Sequence, residues 1–434
     1  MRYLLYNSAV RAAAPVGALW LRAHARHRPL LARFEPPVPP LAGAPLWVQA
    51  CSVGEVGVAR ALLHAMGERF PAYPRLLTAS TLAGFRIAQT AGNDIAALTW
   101  FPFDTPGAVR RFLGEARPAA LVLIETELWP NVLRACAERG VPVLVVNGRI
   151  SARHYQRYQR LRVLARSLFT QLTAVGAQDE THAARFRELG TPAACVHVTG
   201  NTKFDAVPAH VPPHTRQRLR AENGLGKAPV LVFGSTRPGD EALAAACWRT
   251  LRDAFPALRL VIAPRHGERL REAMAPFAGE AVLLRSAVKA GHAPAGERVL
   301  FLDTVGELVS FYSLADAAVI GGSFYPGVEG HNPLEPAALG VPAVFGPHMD
   351  NFAEPARTLL QAQGAKRVYE VGALSGVLHD LLGDATLRRN MGTRARKCVL
   401  DNQGATGRNL ELLAGLIGPE VSASVTSHAL PHTR

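Results

Sequence analysis

The chain has 434 residues, 48% of them apolar, and carries 48 Lys+Arg against 34 Asp+Glu for a net charge of +14. That length exceeds what one hydrophobic core sustains and predicts two domains of roughly 200 residues each, while the positive balance suits nucleic acid, anionic lipid or phosphorylated substrates without choosing among them. Five scattered cysteines, Cys51, Cys136, Cys195, Cys247 and Cys398, offer neither a disulfide framework nor a paired zinc spacing, so a reducing cytoplasm is the simplest compartment.

Residues 1–40 read as a membrane-associating segment. Leu4 to Leu21 is moderately apolar, but Arg2 and Arg11 flank or interrupt it, Pro15 breaks it, and Arg22, Arg26 and Arg28 follow. It is too short and too charged for a membrane span, and no small-residue cleavage site precedes a clean mature start. A basic amphipathic segment on the membrane surface fits, with Tyr3, Tyr6 and Trp20 at the interface and Arg22, Arg26, Arg28 and Arg33 against the anionic layer. An ordinary first helix of a globular domain fits the same residues.

From residue 46 onward, short apolar runs alternate with helical patterns. The runs Leu46-Val48, Leu76-Thr78, Ala97-Trp100, Ala120-Ile124, Val143-Val146, Ala174-Val175 and Val196-Val198 are predicted strands, with helices such as Gly57 to Met66 and Asn131 to Arg139 between them. Residues 206–229 break the rhythm with Pro208, Pro212 and Pro213 and mark the domain boundary. A second series follows at Val230-Phe233, Leu260-Ile262, Val282-Leu284, Val299-Leu302, Ala318-Ile320 and Ala343-Phe345. The predicted fold is α/β: two Rossmann-like doubly wound domains, 41–206 and 207–418, facing an interdomain cleft, with a disordered tail at 419–434.

Several strand ends carry chemistry. Ser52-Val53-Gly54-Glu55 follows the first strand. Glu55 is placed either for general-base work or as a first-turn glutamate stabilised by the helix dipole. Glu125-Thr126-Glu127-Leu128-Trp129-Pro130-Asn131 follows Ile124: its two carboxylates can bind sugar hydroxyls, or Thr126 can be an N-cap with Glu127 in the first turn, a reading that leaves Trp129-Pro130 unexplained. Arg149, after Asn147-Gly148, and Lys203, within Gly200-Asn201-Thr202-Lys203-Phe204-Asp205, can recruit a carboxylate or phosphate or stand as solvated cations.

In the second half Phe233-Gly234-Ser235-Thr236-Arg237 and Pro264-Arg265-His266 end two strands, and arginine suits bidentate recognition of an anion. The most informative stretch is Gly321-Gly322-Ser323 through His331-Asn332-Pro333-Leu334-Glu335-Pro336. Strand, glycine loop and helix predict close backbone approach to a phosphate, with Glu335 free to take two ribose hydroxyls. Together these ends point to a nucleotide-bearing substrate.

Taken in order, Ser52–Glu55, Glu125–Asn131, Gly200–Asp205, Pro264–His266 and Asn332–Pro336 resemble the 3-deoxy-D-manno-octulosonic acid (Kdo) transferases of Gram-negative lipopolysaccharide assembly, inverting glycosyltransferases of the GT-B fold. The resemblance runs from about Trp47 to the helices before the tail. It implies Glu55 as catalytic base. It places Ser235, Thr236, Arg265, His266, Gly322, Asn332 and Glu335 in segments that bind CMP-Kdo, with Ser52, Gly54, Glu125, Glu127, Arg149 and Lys203 on the acceptor side. It further implies transfer to the 6′-hydroxyl of a tetraacylated lipid A precursor at the cytoplasmic face of the bacterial inner membrane, with no metal and no cofactor. One departure is visible: the family often has His-Ala-x-Ser where this chain has Gln49-Ala50-Cys51-Ser52, which leaves Glu55 intact.

Two rival classes remain at this point. Another GT-B enzyme, a hexosyltransferase or UDP-sugar epimerase, shares the glycine loop but not the Trp129-Pro130 or Pro264-Arg265-His266 context. A non-catalytic basic protein binding membrane or RNA fits the charge, but the chain has no aromatic-studded basic stripe, and nucleic acid is not an expected partner.

Overall fold

The computed structural model describes residues 2–208 and 210–418. Among the described residues the strands are β1 (Leu46–Ala50), β2 (Arg75–Ala79), β3 (Ala97–Trp100), β4 (Ala120–Ile124), β5 (Val143–Gly148), β6 (Ala174–Ala177), β7 (Val196–Val198), β8 (Val230–Thr236), β9 (Arg259–Pro264), β10 (Val282–Leu284), β11 (Val299–Phe301), β12 (Ala317–Ile320), β13 (Ala343–Phe345) and β14 (Ala365–Arg367). They form two parallel seven-stranded sheets, in the orders β3-β2-β1-β4-β5-β6-β7 and β10-β11-β9-β8-β12-β13-β14. The central strands β1 and β4 are buried at every position, as helices on both faces of a parallel sheet require. Strand β14 escapes sequence prediction because it is a three-residue edge strand with half-buried Lys366 and Arg367, cations that guard an open edge.

The sheet orders locate the site. In the first sheet β1 pairs with β2 on one side and β4 on the other, so successive connections leave on opposite sides at β1/β4. In the second, β8 pairs with β9 and β12, and the reversal falls at β8/β12. Ligands of doubly wound sheets bind at the carboxyl ends of strands at such reversals. The motifs at 52–55 and 125–131 follow β1 and β4, and those at 235–239 and 321–335 follow β8 and β12.

The chain forms two compact units, residues 1–206 with the segment from 403 onward, and residues 207–402. The second domain was expected to continue to 418. Instead the helix Ala405–Ile417 returns to the first unit, where Leu410 and Leu413 join the core of Leu46, Val48 and Val122. Burying two leucines contributes about 1.5–3 kcal/mol each. Asp205 accepts from the amides of Gly404 at 2.7 Å and Thr406 at 2.5 Å, and the buried Asn409 donates to Thr199 Oγ1 at 3.1 Å. The last residue of the Gly200–Asp205 motif therefore anchors a helix.

The N-terminal segment is a helix, Arg2–Ala23, followed by a 3-10 stretch, Ala25–Phe34. No helix among the described residues is long and apolar enough to cross a membrane. Val16, Leu19 and Trp20 stand exposed, as do Arg22, Arg26 and Arg28. Arg33 departs from the expectation that it faces an anionic surface. It is 7% exposed, because its Nε donates to Phe101 O at 2.9 Å, its Nη1 donates to Ser80 O at 3.1 Å, and its guanidinium stacks over Phe103. The expected tail 419–434 and the side chain of Tyr3 lie outside the described residues.

Candidate active site

Two strand-end sites emerge, one in each unit. In the first, Ser52 caps the helix Val53–Arg69: its Oγ accepts from the Glu55 amide and donates to Glu55 Oε1 at 2.8 Å, while the Cys51 amide donates to Oε2 at 2.8 Å. Both readings of Glu55 thus meet in one geometry. The carboxylate closes a capping arrangement, and it does so while only 8% exposed at the end of β1. Burial pushes it up to about 7, helped by Glu127 and Glu125 and opposed by the two hydrogen bonds. A carboxyl near neutrality can exchange a proton with a neighbouring group. Gly54 is exposed, and a side chain there would meet only Ser52 Oγ at 3.9 Å, so packing within the unit does not require a glycine.

Around Glu55 lies a compact ionisable cluster. Ligand atoms of Cys51, Glu55 and Glu127 are within 4.8 Å of one another. Burial raises Glu127, against the pull of Trp129, Cys51 and Arg33. The Cys51 thiol is pushed up to about 12, mainly by burial and then by Glu127 and Glu55, so it stays protonated. The buried Arg33 guanidinium is brought down to about 10 by burial, with Cys51 and Glu127 working against the fall. Arg33 comes from a segment with no sequence link to the strand-end motifs, and only the fold brings it here.

Glu127 is not in a first helical turn. The helix begins at Pro130, and its amides at Asn131 and Val132 are capped by Asp104, each at 3.0 Å. Tyr6 of the N-terminal helix donates to the same carboxylate at 2.8 Å, which pins that helix to Trp129-Pro130. Glu125 adopts a left-handed backbone, φ 63°, at the end of β4, a conformation that non-glycine residues hold only when their surroundings impose it. Beside Glu127 opens a cavity of about 530 Å³, with Leu128, Trp129, Tyr158 and Leu161 as apolar wall and Arg149, His154 and Arg157 as cations. No carboxylate among the described residues pairs with either guanidinium. Lys203 sits in a 3-10 turn, Thr202–Phe204, tied to the end of β5 by Thr202 N donating to Asn147 Oδ1 at 3.2 Å, and it does not line that cavity.

The second unit is arranged differently. Gly321 lets β12 pass β8 closely, since a Cβ there would lie 2.4 Å from Ser235 O, and Gly322 takes φ 68°. The expected phosphate cradle of amides is largely occupied from within. Gly322 N donates to Asp240 Oδ2 at 2.7 Å, Gly330 N to Gly322 O at 2.8 Å, His331 N to Gly321 O at 3.2 Å, and Leu334 N to Asn332 Oδ1 at 3.0 Å. The helix beyond, Leu334–Ala338, is barely one turn. Thr236 is also committed, its hydroxyl donating to the buried Glu241 at 2.8 Å. Ser235 keeps a left-handed φ of 56° at the end of β8.

Two arginines and two histidines gather at these strand ends. Arg237 Nη1 donates to His266 Nε2, and Arg237, Arg265 and His266 all act on His331, which is lowered to about 4 chiefly by burial and then by Arg265, Arg237 and His266. Arg237 Nε and His331 Nε2 are buried without hydrogen-bond partners. Burial raises Glu335, while Asn332 and Arg265 pull it down. Arg265 and Ser235 also line a smaller cavity of about 150 Å³. Sequence reasoning singled out Arg265, His266 and Glu335 but omitted Arg237 and His331, although both lie inside motifs it quoted; the signal was their shared strand-end position.

Residues 22–206 match the family model for 3-deoxy-D-manno-octulosonic-acid transferase. The chain is 33% identical to a 3-deoxy-D-manno-octulosonic acid transferase of Bordetella pertussis over 95% of its length and 99% of that protein, and 30% identical to one of Haemophilus influenzae over 85% and 86%. Among solved structures, a glycosyltransferase from Rickettsia africae has a TM-score of 0.56 at 10% identity, with 87% of this chain and 100% of that one covered. A UDP-GlcNAc 2-epimerase from Neisseria meningitidis has 0.55 at 13% identity, with 85% and 99% covered. At such identities these two speak to the fold alone, which is GT-B.

Proposed function

The chain belongs to the 3-deoxy-D-manno-octulosonic acid transferase family of glycosyltransferases in lipopolysaccharide biosynthesis, and from that premise we propose that it transfers Kdo with inversion from CMP-Kdo to the 6′-hydroxyl of a tetraacylated lipid A precursor. The observation that carries the reaction is Glu55, a buried carboxylate raised to about 7 at the end of β1. A base poised there is substantially ionised at neutral pH yet strong enough to accept a proton from an alcohol, a contribution of roughly 10²- to 10⁴-fold.

The acceptor oxygen forms its bond to the anomeric carbon of Kdo as its proton moves to Glu55. The bond from that carbon to the phosphate oxygen breaks, and the cytidylate leaves with its charge increased by one. Arg237 and Arg265 stabilise that charge. Glu335 is proposed to take the ribose hydroxyls, and Ser235, His266, Gly322 and Asn332 to shape the donor site. On the acceptor side, Arg149, His154 and Arg157 suit the phosphates of the lipid A precursor and the apolar wall suits its acyl chains, while Ser52, Gly54, Glu125, Glu127 and Lys203 border the sugar. Val16, Leu19 and Trp20 with the nearby arginines suit shallow seating on the cytoplasmic face of the inner membrane.

A protonated thiol and the Arg33 guanidinium both work against a cation at the Cys51, Glu55 and Glu127 cluster. Turnover is therefore expected to survive EDTA, and a large loss in its presence would assign a metal to the reaction. The deciding experiment is mass spectrometry of CMP-Kdo and lipid A precursor incubated with the protein, with Glu55→Ala alongside. Added Kdo masses and released CMP are expected with the native chain only; release of UDP from a UDP-sugar instead would replace this reading with that of another GT-B enzyme.

A further inference from the structure

Resting on the reading that the second unit holds the donor, we infer that the nucleotide's phosphate enters its basic site together with a proton, and that His331 is the group that takes that proton up. Four groups face one another there: Arg237 from the turn after β8, Arg265 and His266 from the end of β9, and His331 from the loop after β12. The nearby carboxylates are engaged. Asp240 accepts from the amides of Gly322 and Arg237, Glu335 accepts from Asn332, and Glu268 lies 3.5 Å from His266 Nδ1.

The hydrogen bonding assigns the protons. A guanidinium only donates, so Arg237 Nη1 makes His266 Nε2 an acceptor, and the ring proton of His266 sits on Nδ1, toward Glu268. His331 Nε2 has no hydrogen-bond partner among the described residues. Two guanidiniums that form no ion pair within 4 Å among the described residues, though Asp240 and Glu335 lie within electrostatic reach, thus surround an imidazole that burial and repulsion keep neutral, with its acidity at about 4. An anion beside Arg237 and Arg265 reverses the repulsion, because an opposite charge within about 4–6 Å favours the charged form.

The sign follows by linkage. His331 binds more protons in the complex than in the free protein, so affinity is constant below the free value of about 4 and falls as pH rises through the higher value of the complex. The chemistry has a use for this charge. The donor phosphate is a diester with one negative charge, and the departing cytidylate carries two, so an imidazolium held beside it favours departure without passing its proton on.

The test is isothermal titration calorimetry of the full chain with the methyl ester of CMP, a phosphodiester that does not itself titrate near pH 6, in buffers of different ionisation enthalpy. The expected result is net proton uptake on binding that grows as pH falls from about 7 toward 5 and is lost in both His331→Gln and His331→Asn. Binding without uptake, or uptake that persists in folded His331 variants, overturns the inference while leaving the donor reading in place. An ester that binds at no pH overturns the donor reading and the inference with it.

Discussion

The two sheet reversals are alike in topology and opposite in charge. At β1/β4 the strand ends gather Glu55, Glu125 and Glu127 around one buried arginine; at β8/β12 they gather Arg237, Arg265, His266 and His331 with their carboxylates already bonded. Burial moves a titratable group toward its neutral form in both places, raising Glu55 to about 7 and lowering His331 to about 4. On the proposed reading, one scaffold prepares a proton acceptor in one unit and an anion holder in the other, and the difference lies in a handful of side chains at the strand ends.

The contrast can be broken at either end. Glu55→Gln is expected to lower kcat by roughly 10²- to 10⁴-fold while CMP binding, measured by calorimetry, stays as it was. A parallel loss of CMP affinity would mean the two sites are not separate in function. Arg265→Ala should do the reverse, weakening CMP by about 10- to 100-fold through loss of charge-assisted hydrogen bonds. Arg149→Ala combined with Arg157→Ala should raise KM for the phosphorylated acceptor about tenfold and leave KM for CMP-Kdo unchanged, the mark of lost acceptor binding. The smallest effect on chemistry belongs to the N-terminal helix. Val16, Leu19 and Trp20 changed together to Ser should reduce sedimentation with anionic vesicles while turnover of detergent-dispersed acceptor persists. Deleting the whole segment would be a poorer test, since it also removes Tyr6 from Asp104 and Arg33 from the carboxylate cluster.

Much of this was legible in the linear chain because doubly wound sheets write themselves as short buried apolar runs, and the residues just beyond those runs are the ones that meet a ligand. Thirteen of the fourteen strands among the described residues and the motifs at 52–55, 125–131, 264–266 and 321–335 were visible for that reason. What stayed hidden needed contacts distant in sequence. The helix Ala405–Ile417 reads like any amphipathic helix, and only its apolar fit to the first core and its Asp205 cap return it there. Arg33 looks like one more cation in a basic leader until Ser80 and Phe101, just past β2 and β3, offer their carbonyls. The glycine loop was read as a set of open amides, whereas Asp240, more than 80 residues earlier, already holds one of them. The helix after the glycine loop, Leu334–Ala338, is short, with Pro333 just before it and Pro336 within it.

The most direct test of the account is the pH dependence of Kdo transfer in a single turnover at saturating substrates. The native chain is expected to lose rate about tenfold per pH unit below a midpoint near 7, where Glu55 takes its proton, and Glu55→Gln should show a low rate with no such limb. A native profile flat from about pH 5 to 8, or a Glu55→Gln protein with the native rate, would contradict it.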